Sequence, residues 1–417
     1  MCPGVGLTSP PPPVRPAEPS YAAARNLSAL LDLDSEAATC TTVTVTSITI
    51  SVPQRRDRAG CCRLECLQLQ SCEGVTERGV MLALDHLASL RRLDYQQKYS
   101  LLEILVRWSA GAGARPRRLQ LEDMKHVFPY EVSPLSPQLP ALAALLPRLT
   151  SLTLVTLDAA AATFALFPQL RRLTLELEDC LGEGLLQLLT QLGPQLLEVN
   201  ISCSSDPHTP LTLDQTAGPA GQQGQLFNAA VLAVGELCPA VSKLSVSGCG
   251  LVSTAAVDRL RIEEKLSNPR WLQRQAARWF SDLTSFILMS YDDTNPAMTI
   301  HSGLLKSVLS ASSQLMLLHL EGYFGTFITD EYFLSVLKCN PLEELRVLNI
   351  CISDEGSTTG RIPLSMRAVQ GVLGSCTNIK EVRLADWSLT SEEISALDTR
   401  IKEENWDLTV GKTEKFS

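Results

Sequence analysis

The sequence predicts an α/β solenoid, a curved sheet of parallel strands inside and helices outside, and three observations predict it. The first is a frame: Leu64, Leu67, Leu69 and Cys72 stand at the intervals of an L-x-x-L-x-L-x-x-C pattern, in which a short strand turns its leucines inward. The second is recurrence. Leu64 and Leu90 are 26 residues apart, as are Leu170 and Leu196, which leaves room in each unit for a strand and a returning helix. The third is composition: the chain is 45% hydrophobic but only 5% aromatic, so leucine must supply the core. An internal repeat of this kind overrides the expectation that 417 residues divide into two or three compact domains.

Taken in order, residues 1–38 hold Pro10 to Pro13, Pro16 and Pro19 among small residues and are expected to form a disordered tail, because they bury too little apolar surface to offset chain entropy. The solenoid is expected over 39–410, with 411–417 as a C-terminal tail. Val43, Val45, Ile48 and Ile50 alternate within threonines and read as a first, atypical capping strand. Strand starts then follow at Leu64, Leu90, Pro116, Leu149, Leu170, Leu196, Val241, Leu283, Leu315, Leu342 and Ile379, giving about twelve units with the Val45 strand. Two insertions interrupt the spacing. The one near 205–226 is rich in Pro, Thr, Gly and Gln and reads as a mobile loop. The one near 262–280 carries Trp271, Leu272, Ala276 and Trp279 among Arg and Gln and reads as an extra amphipathic helix.

The eleventh unit reads Leu-Glu-Glu-Leu-Arg-Val-Leu-Asn-Ile and admits a start at Leu342 or Leu345. An odd shift of register exchanges inward and outward side chains. Leu342 is the reading adopted, since Cys339 then precedes the start by three, as Cys238 and Cys376 do in their units.

A net charge of −9 argues against nucleic acid, because phosphate contacts need a clustered basic surface. The groups Arg55, Arg56, Arg58 and Arg115, Arg117, Arg118 are short and read as solvated faces. Leu149 to Phe167 has a single charge, Asp158, and is long enough to cross a membrane. The repeat frame accounts for it instead, and no membrane segment is expected. The start of the chain lacks the charged and apolar regions of a secretory leader, and the 13 cysteines are odd in number. Reduced thiols in the cytoplasm or nucleus are the expectation.

The spacing of histidines, cysteines and glycines bears on catalytic and metal chemistry. The histidines His86, His126, His208, His301 and His319 form no H-x-x-x-H pair, and Cys61-Cys62 with Cys66 lacks a second cysteine pair at zinc-site spacing. Cys61, Cys62, Cys66 and Cys72 have the donors for a metal, but packing and turn roles are the reading adopted. Walker, dinucleotide and Gly-x-Ser-x-Gly fingerprints do not occur. The reading is therefore a protein without catalysis, cofactor or metal.

Leu237-Cys238-Pro239, Val241, Leu244, Val246 and Cys249, then Ile328-Thr329-Asp330-Glu331 and Cys339, and Leu389-Thr390-Ser391-Glu392 carry a resemblance. The array resembles the cysteine-containing leucine-rich repeats of the ribonuclease-inhibitor-like class, above all the repeat region of F-box/leucine-rich-repeat proteins. The resemblance implies a right-handed leucine-rich-repeat solenoid and a substrate-recognition subunit of a cullin-type ubiquitin ligase, with a ligase adaptor among its partners. Leu27 to Leu33 has neither the leading Leu-Pro nor the length of an F-box. The alternative is a scaffold or inhibitor that binds its partner without ubiquitin ligation.

Alternation along each strand turns the third, fifth and seventh places of the frame toward the concave surface. In the first half these are polar, among them Gln68, Arg92, Asp94, Arg118, Gln120, Glu122, Arg172, Thr174 and Glu176. In the last units they become Ile287 and Met289, Leu317 and His319, Arg346 and Leu348, with Tyr291, Tyr323 and Trp387 in the closing turns. This apolar and aromatic strip is the expected binding site for a protein partner, since such patches mark interfaces.

Overall fold

The structure is a computed structural model, and it describes residues 65–70, 77–87, 89–96, 101–110, 119–127, 143–156, 158–178, 180–203, 225–248, 251–290, 300–322, 327–351, 362–384, 386–404 and 407–411. The tail expected over 1–38, the Val45 strand and most of the segment near 205–226 lie outside these residues.

The strands are β1 (Cys66–Gln70), β2 (Arg92–Gln96), β3 (Asp123–Val127), β4 (Ser151–Thr156), β5 (Arg172–Leu177), β6 (Cys180–Leu181), β7 (Glu198–Cys203), β8 (Lys243–Gly248), β9 (Leu251–Val252), β10 (Ser285–Met289), β11 (Leu317–Glu321), β12 (Val347–Cys351), β13 (Glu381–Arg383) and β14 (Thr409–Gly411). Twelve of them form one sheet in chain order, each parallel to the next, while β6 pairs only with β9. The helices are α1 (Glu77–His86), α2 (Leu101–Ala110), α3 (Asp158–Ala161), α4 (Glu183–Leu192), α5 (Leu226–Leu237), α6 (Thr254–Leu260), α7 (Ile262–Leu266), α8 (Pro269–Trp279), α9 (Ser302–Ala311), α10 (Asp330–Cys339), α11 (Met366–Ser375) and α12 (Ser391–Glu403).

Parallel neighbours require a crossover between strands, and the helices supply it. Strands pack about 4.8 Å apart, whereas helices need about 10 Å, so the helix layer takes the outer arc and the sheet the inner one. The architecture is a leucine-rich-repeat solenoid.

Strand alternation builds the core. Leu67, Leu93, Met124, Leu152, Leu173, Val199, Leu244, Phe286, Leu318, Leu348 and Val382 are successive register partners, and each is at most 3% exposed. Burying one such side chain contributes about 1.5–3 kcal/mol. The ends of the strands are held level by shared carbonyls. The Glu65 carbonyl accepts the N–H groups of Arg91 and Arg92, and the Arg91 carbonyl accepts those of Glu122 and Asp123. The same double acceptance recurs at Glu122, Thr150, Arg171, Leu197, Ser242, Thr284, Met316 and Arg346, using both lone pairs of each carbonyl.

A second recurring bond sets where each strand begins. The N–H of the first frame residue donates to the carbonyl three residues back: Leu90 to Leu87, Val241 to Cys238, Leu283 to Phe280, Leu315 to Ser312 and Ile379 to Cys376. In the eleventh unit the same bond runs from Leu345 to Leu342, so the strand starts at Leu345 and the Leu342 start is corrected. Cys238 and Cys376 directly follow their helices, but after α10 the chain takes the additional residues Asn340 and Pro341 before Leu342, which adopts a left-handed φ of 53°. Asn340 holds the detour in place. Its side-chain amide donates to the Leu309 carbonyl, and its oxygen accepts the Leu342 N–H. Cys339 is exposed, whereas Cys238 and Cys376 are buried. The fourth start is corrected as well: Asp123 pairs with Arg92 and Ser151, so its frame begins at Leu121 rather than Pro116, with Met124 in a leucine place.

Leu149 to Phe167 forms β4 followed by α3 and a 3-10 turn (Ala162–Leu166), and no helix among the described residues is long and apolar enough to cross a membrane. Residues 262–280 form α7 and α8, and α8 lies along α9 in the outer layer, burying Leu272 and Ala276 completely. At the far end β14 adds to β13.

Helix starts are tied across units. Asp158, 8% exposed, accepts the N–H groups of Gly182, Gly184 and Leu185, each at 2.9 Å, and so caps α4, whose own N-cap is a glycine. The Asn228 oxygen accepts the His301 N–H before α9, and Asp330 accepts the N–H and hydroxyl of Ser365 before α11. Orphan amides at helix N-termini are thereby satisfied by side chains of neighbouring helices.

Candidate functional site

The concave face is read across the strands by register. Its first half is polar: Arg92, Arg172, Glu198 and Lys243 lie in one row, and Lys243 Nζ meets Glu198 Oε2 at 3.4 Å. Both side chains are well exposed, so this pair adds little to stability.

The face changes at β10. Ile287 and Met289 stand outward and half-buried, next to Ser245 and Ser247 of β8 on one side and His319 and Glu321 of β11 on the other. Leu317 is also half-buried and has Val347 of β12 as its partner. Ile287, Met289, Leu317 and Val347 thus give the far part of the concave face an apolar surface, where the corresponding places of the first half are mostly polar or charged.

A polar group sits among them. The imidazole of His319 makes two bonds: Nε2 to Glu321 Oε2 at 2.9 Å and Nδ1 to Asn349 Nδ2 at 3.0 Å. Asn349 is the cross-strand partner of His319 and only 9% exposed. Since its Nδ2 can only donate, Nδ1 is the acceptor and Nε2 carries the proton given to Glu321. That hydrogen bond first, and the charge of Arg383 after it, holds the Glu321 carboxyl below its ordinary range against the opposing effect of burial. Cys351, the partner of Glu321, lies beside them and is 2% exposed. The donor atoms of His319, Glu321 and Cys351 all fall within 4.8 Å of one another.

Not all of the expected site residues reach this surface. Leu348 is fully buried because the true frame starts at Leu345 and turns it inward beside Leu318. Arg346 is exposed but precedes β12, where its backbone serves the carbonyl rail. Trp387 is 1% exposed, and its Nε1 donates to the Ile350 carbonyl at 3.0 Å, so this indole fills the core and is no surface anchor. Tyr291 and Tyr323 lie outside the described residues. The residues overlooked are Val347, Asn349 and Cys351, which the misplaced start had turned inward. The two residues between Cys339 and Leu342 were the signal that could have placed them.

No protein-family model matches the chain, and no curated protein matches it. Among solved structures it is similar to the yeast Rad7 and Elc1 complex, with 16% identity, a TM-score of 0.35 and coverage of 67% of this chain and 66% of that one, just under two thirds of its length. It is also similar to the leucine-rich repeat-containing protein LegL7 from Legionella pneumophila, with 13% identity, a TM-score of 0.35 and coverage of 81% and 98%. A leucine-rich-repeat protein from Leptospira interrogans gives 11% identity and a TM-score of 0.24 over 83% of this chain and 95% of that one. The fold assignment rests on the strand ladder itself.

Buried thiols also pack the turns between helix and strand. Burial pushes both Cys238 and Cys376 up to about 12, so each is a neutral packing group at physiological pH.

Proposed function

We propose that this chain is a binding scaffold that holds a protein partner against the far half of its concave face. The observation that carries the reading is the half-buried apolar surface of Ile287, Met289, Leu317 and Val347, on a face that is mostly polar elsewhere. Side chains left partly open on a rigid sheet can be covered by a partner without reorganising the array.

Replacing Ile287 and Leu317 together by Asp is expected to leave the thermal melt unchanged and to remove the partner. Loss of one central anchor costs about 2 kcal/mol, about 30-fold in affinity, and covering the introduced carboxylates with an apolar surface costs their hydration as well. The test is affinity purification of both proteins from native cells, with mass spectrometry of what is recovered and a melt of each. Recovery of the same partners by both, or collapse of the variant's melt, would sink the reading.

Target recognition within a cullin-type ubiquitin ligase is the finer proposal, supported by the resemblance of the repeat residues to those of F-box/leucine-rich-repeat proteins. Leu27 to Leu33 lies outside the described residues. A cullin and its adaptor recovered with both proteins would support the ligase; a partner recovered without them would make the chain a scaffold or inhibitor.

A further inference from the structure

We propose that His319, Glu321 and Cys351 form a zinc(II) site on the concave face. The site is independent of whether the apolar surface beside it binds a protein. His319 and Glu321 are two apart on β11 and so share a face, and Cys351 is the register partner of Glu321 on β12. The sheet itself brings the three donors together, with no loop involved. Imidazole nitrogen, thiolate sulfur and carboxylate oxygen are the ligand types zinc takes. The thiol and imidazole disfavour calcium and magnesium, which take oxygen donors.

The distances suit a site that closes on its ion. Zinc bonds of about 2.0–2.3 Å set tetrahedral donors about 3.3–3.8 Å apart. Atoms within 4.8 Å of one another reach that by small side-chain rotations, and the 2.9 Å hydrogen bond from His319 to Glu321 opens to admit the ion. Three protein ligands leave a fourth position for water.

Asn349 supplies the outer support. A ring that binds metal through Nε2 carries its proton on Nδ1 and needs an acceptor there. Asn349 now offers Nδ2 to that nitrogen, while its own Oδ1 is buried without a hydrogen-bond partner among the described residues. Nothing bonded to that oxygen holds the carboxamide in its present sense. A half-turn presents Oδ1 to Nδ1–H and keeps the ring where it is, so one asparagine serves both tautomers.

The proton balance follows. Glu321 enters as a carboxylate, the ring proton moves from Nε2 to Nδ1 through solvent, and the Cys351 thiol releases one proton as its sulfur–zinc bond forms. The site then carries no net charge from its ion and ligands.

The experiment uses the full chain, stripped with chelator and kept reduced, titrated with cobalt(II) as a spectroscopic stand-in for zinc. The 13 cysteines make a difference measurement necessary. Wild type is expected to bind one equivalent more than Cys351→Ser and to show a thiolate-to-cobalt charge-transfer band that this variant loses. His319→Gln, a half-buried surface change, is expected to abolish the same equivalent and serves if Cys351→Ser fails to fold. Asn349→Ala is expected to weaken it about tenfold. Equal stoichiometry in wild type and His319→Gln would place any bound metal elsewhere and overturn the proposal, as would no binding by wild type.

Discussion

Leu244→Asp is expected to abolish cooperative folding of the array. Leu244 is 1% exposed and stands between Val199 of β7 and Phe286 of β10 in the inner row. A carboxylate there has no partner and no water, which costs about 4 kcal/mol or more. Position matters as much as chemistry, because each unit of a solenoid is stabilised mainly by its neighbours. A defect in β8 uncouples the units on either side, so the melt should broaden and split as well as shift. Ser245→Asp is the control. It lies one residue on, faces the concave surface and is half-buried, and its effect should be small. Calorimetry of both variants decides the matter; a stable Leu244→Asp protein would contradict the strand register itself.

Asp158→Ala is expected to be the other severe change, by a different route. The carboxylate accepts three backbone N–H groups at the start of α4, and hydrogen bonds to a charged group contribute about 1.5–3 kcal/mol each. Alanine leaves three buried amides unsatisfied, and a total loss of about 3 kcal/mol or more is expected. Asp158→Asn should recover only part of it, since its amide would face a backbone donor. The neighbouring glycine leaves no room for adjustment: a Cβ on Gly184 would lie 1.7 Å from the Asp158 carbonyl oxygen. Hydrogen exchange should localise the damage, with amides of 182–192 exchanging fastest. Unchanged exchange there would show that the cap is dispensable.

Much of the fold was legible because the solenoid uses one rule many times. A leucine at the first, fourth and sixth places of a frame is buried wherever the frame falls, and residues such as Leu90, Leu93, Leu170, Leu173 and Leu175 are buried as that rule expects. Legibility failed where local chemistry broke the period. Met124 stands where a leucine usually does, and the alternating Leu119 and Leu121 offered a competing frame five residues early. After α10 a cysteine three residues before Leu342 imitated the Cys238 and Cys376 turns, while Asn340 and Pro341 in fact lengthen the connection. That one misplacement turned Leu348 outward on paper and hid Val347, Asn349 and Cys351.

The position of the proposed surface was legible only in part, for a related reason. Ile287, Met289, Leu317 and His319 lie on strands whose frames were correct, and they stand on the concave face. Trp387 read as an interface anchor because aromatic residues favour interfaces, yet the closing turn buries it against β12. The ligand cluster was invisible to a search for spaced pairs, since its third member follows Glu321 by a whole repeat and meets it only through sheet register. Inter-helix caps such as Asp158 were hidden likewise, because the amides they serve belong to the next unit.

The most direct test of a concave-face scaffold is site-specific photo-crosslinking in native cells, with a photoreactive residue at Ile287 in one protein and at the exposed Glu392 of α12 in another. A partner covalently captured from position 287, absent from position 392 and lost when Leu317→Asp is added, is the result expected. Capture of the same partner from position 392 and not from 287 would contradict the account.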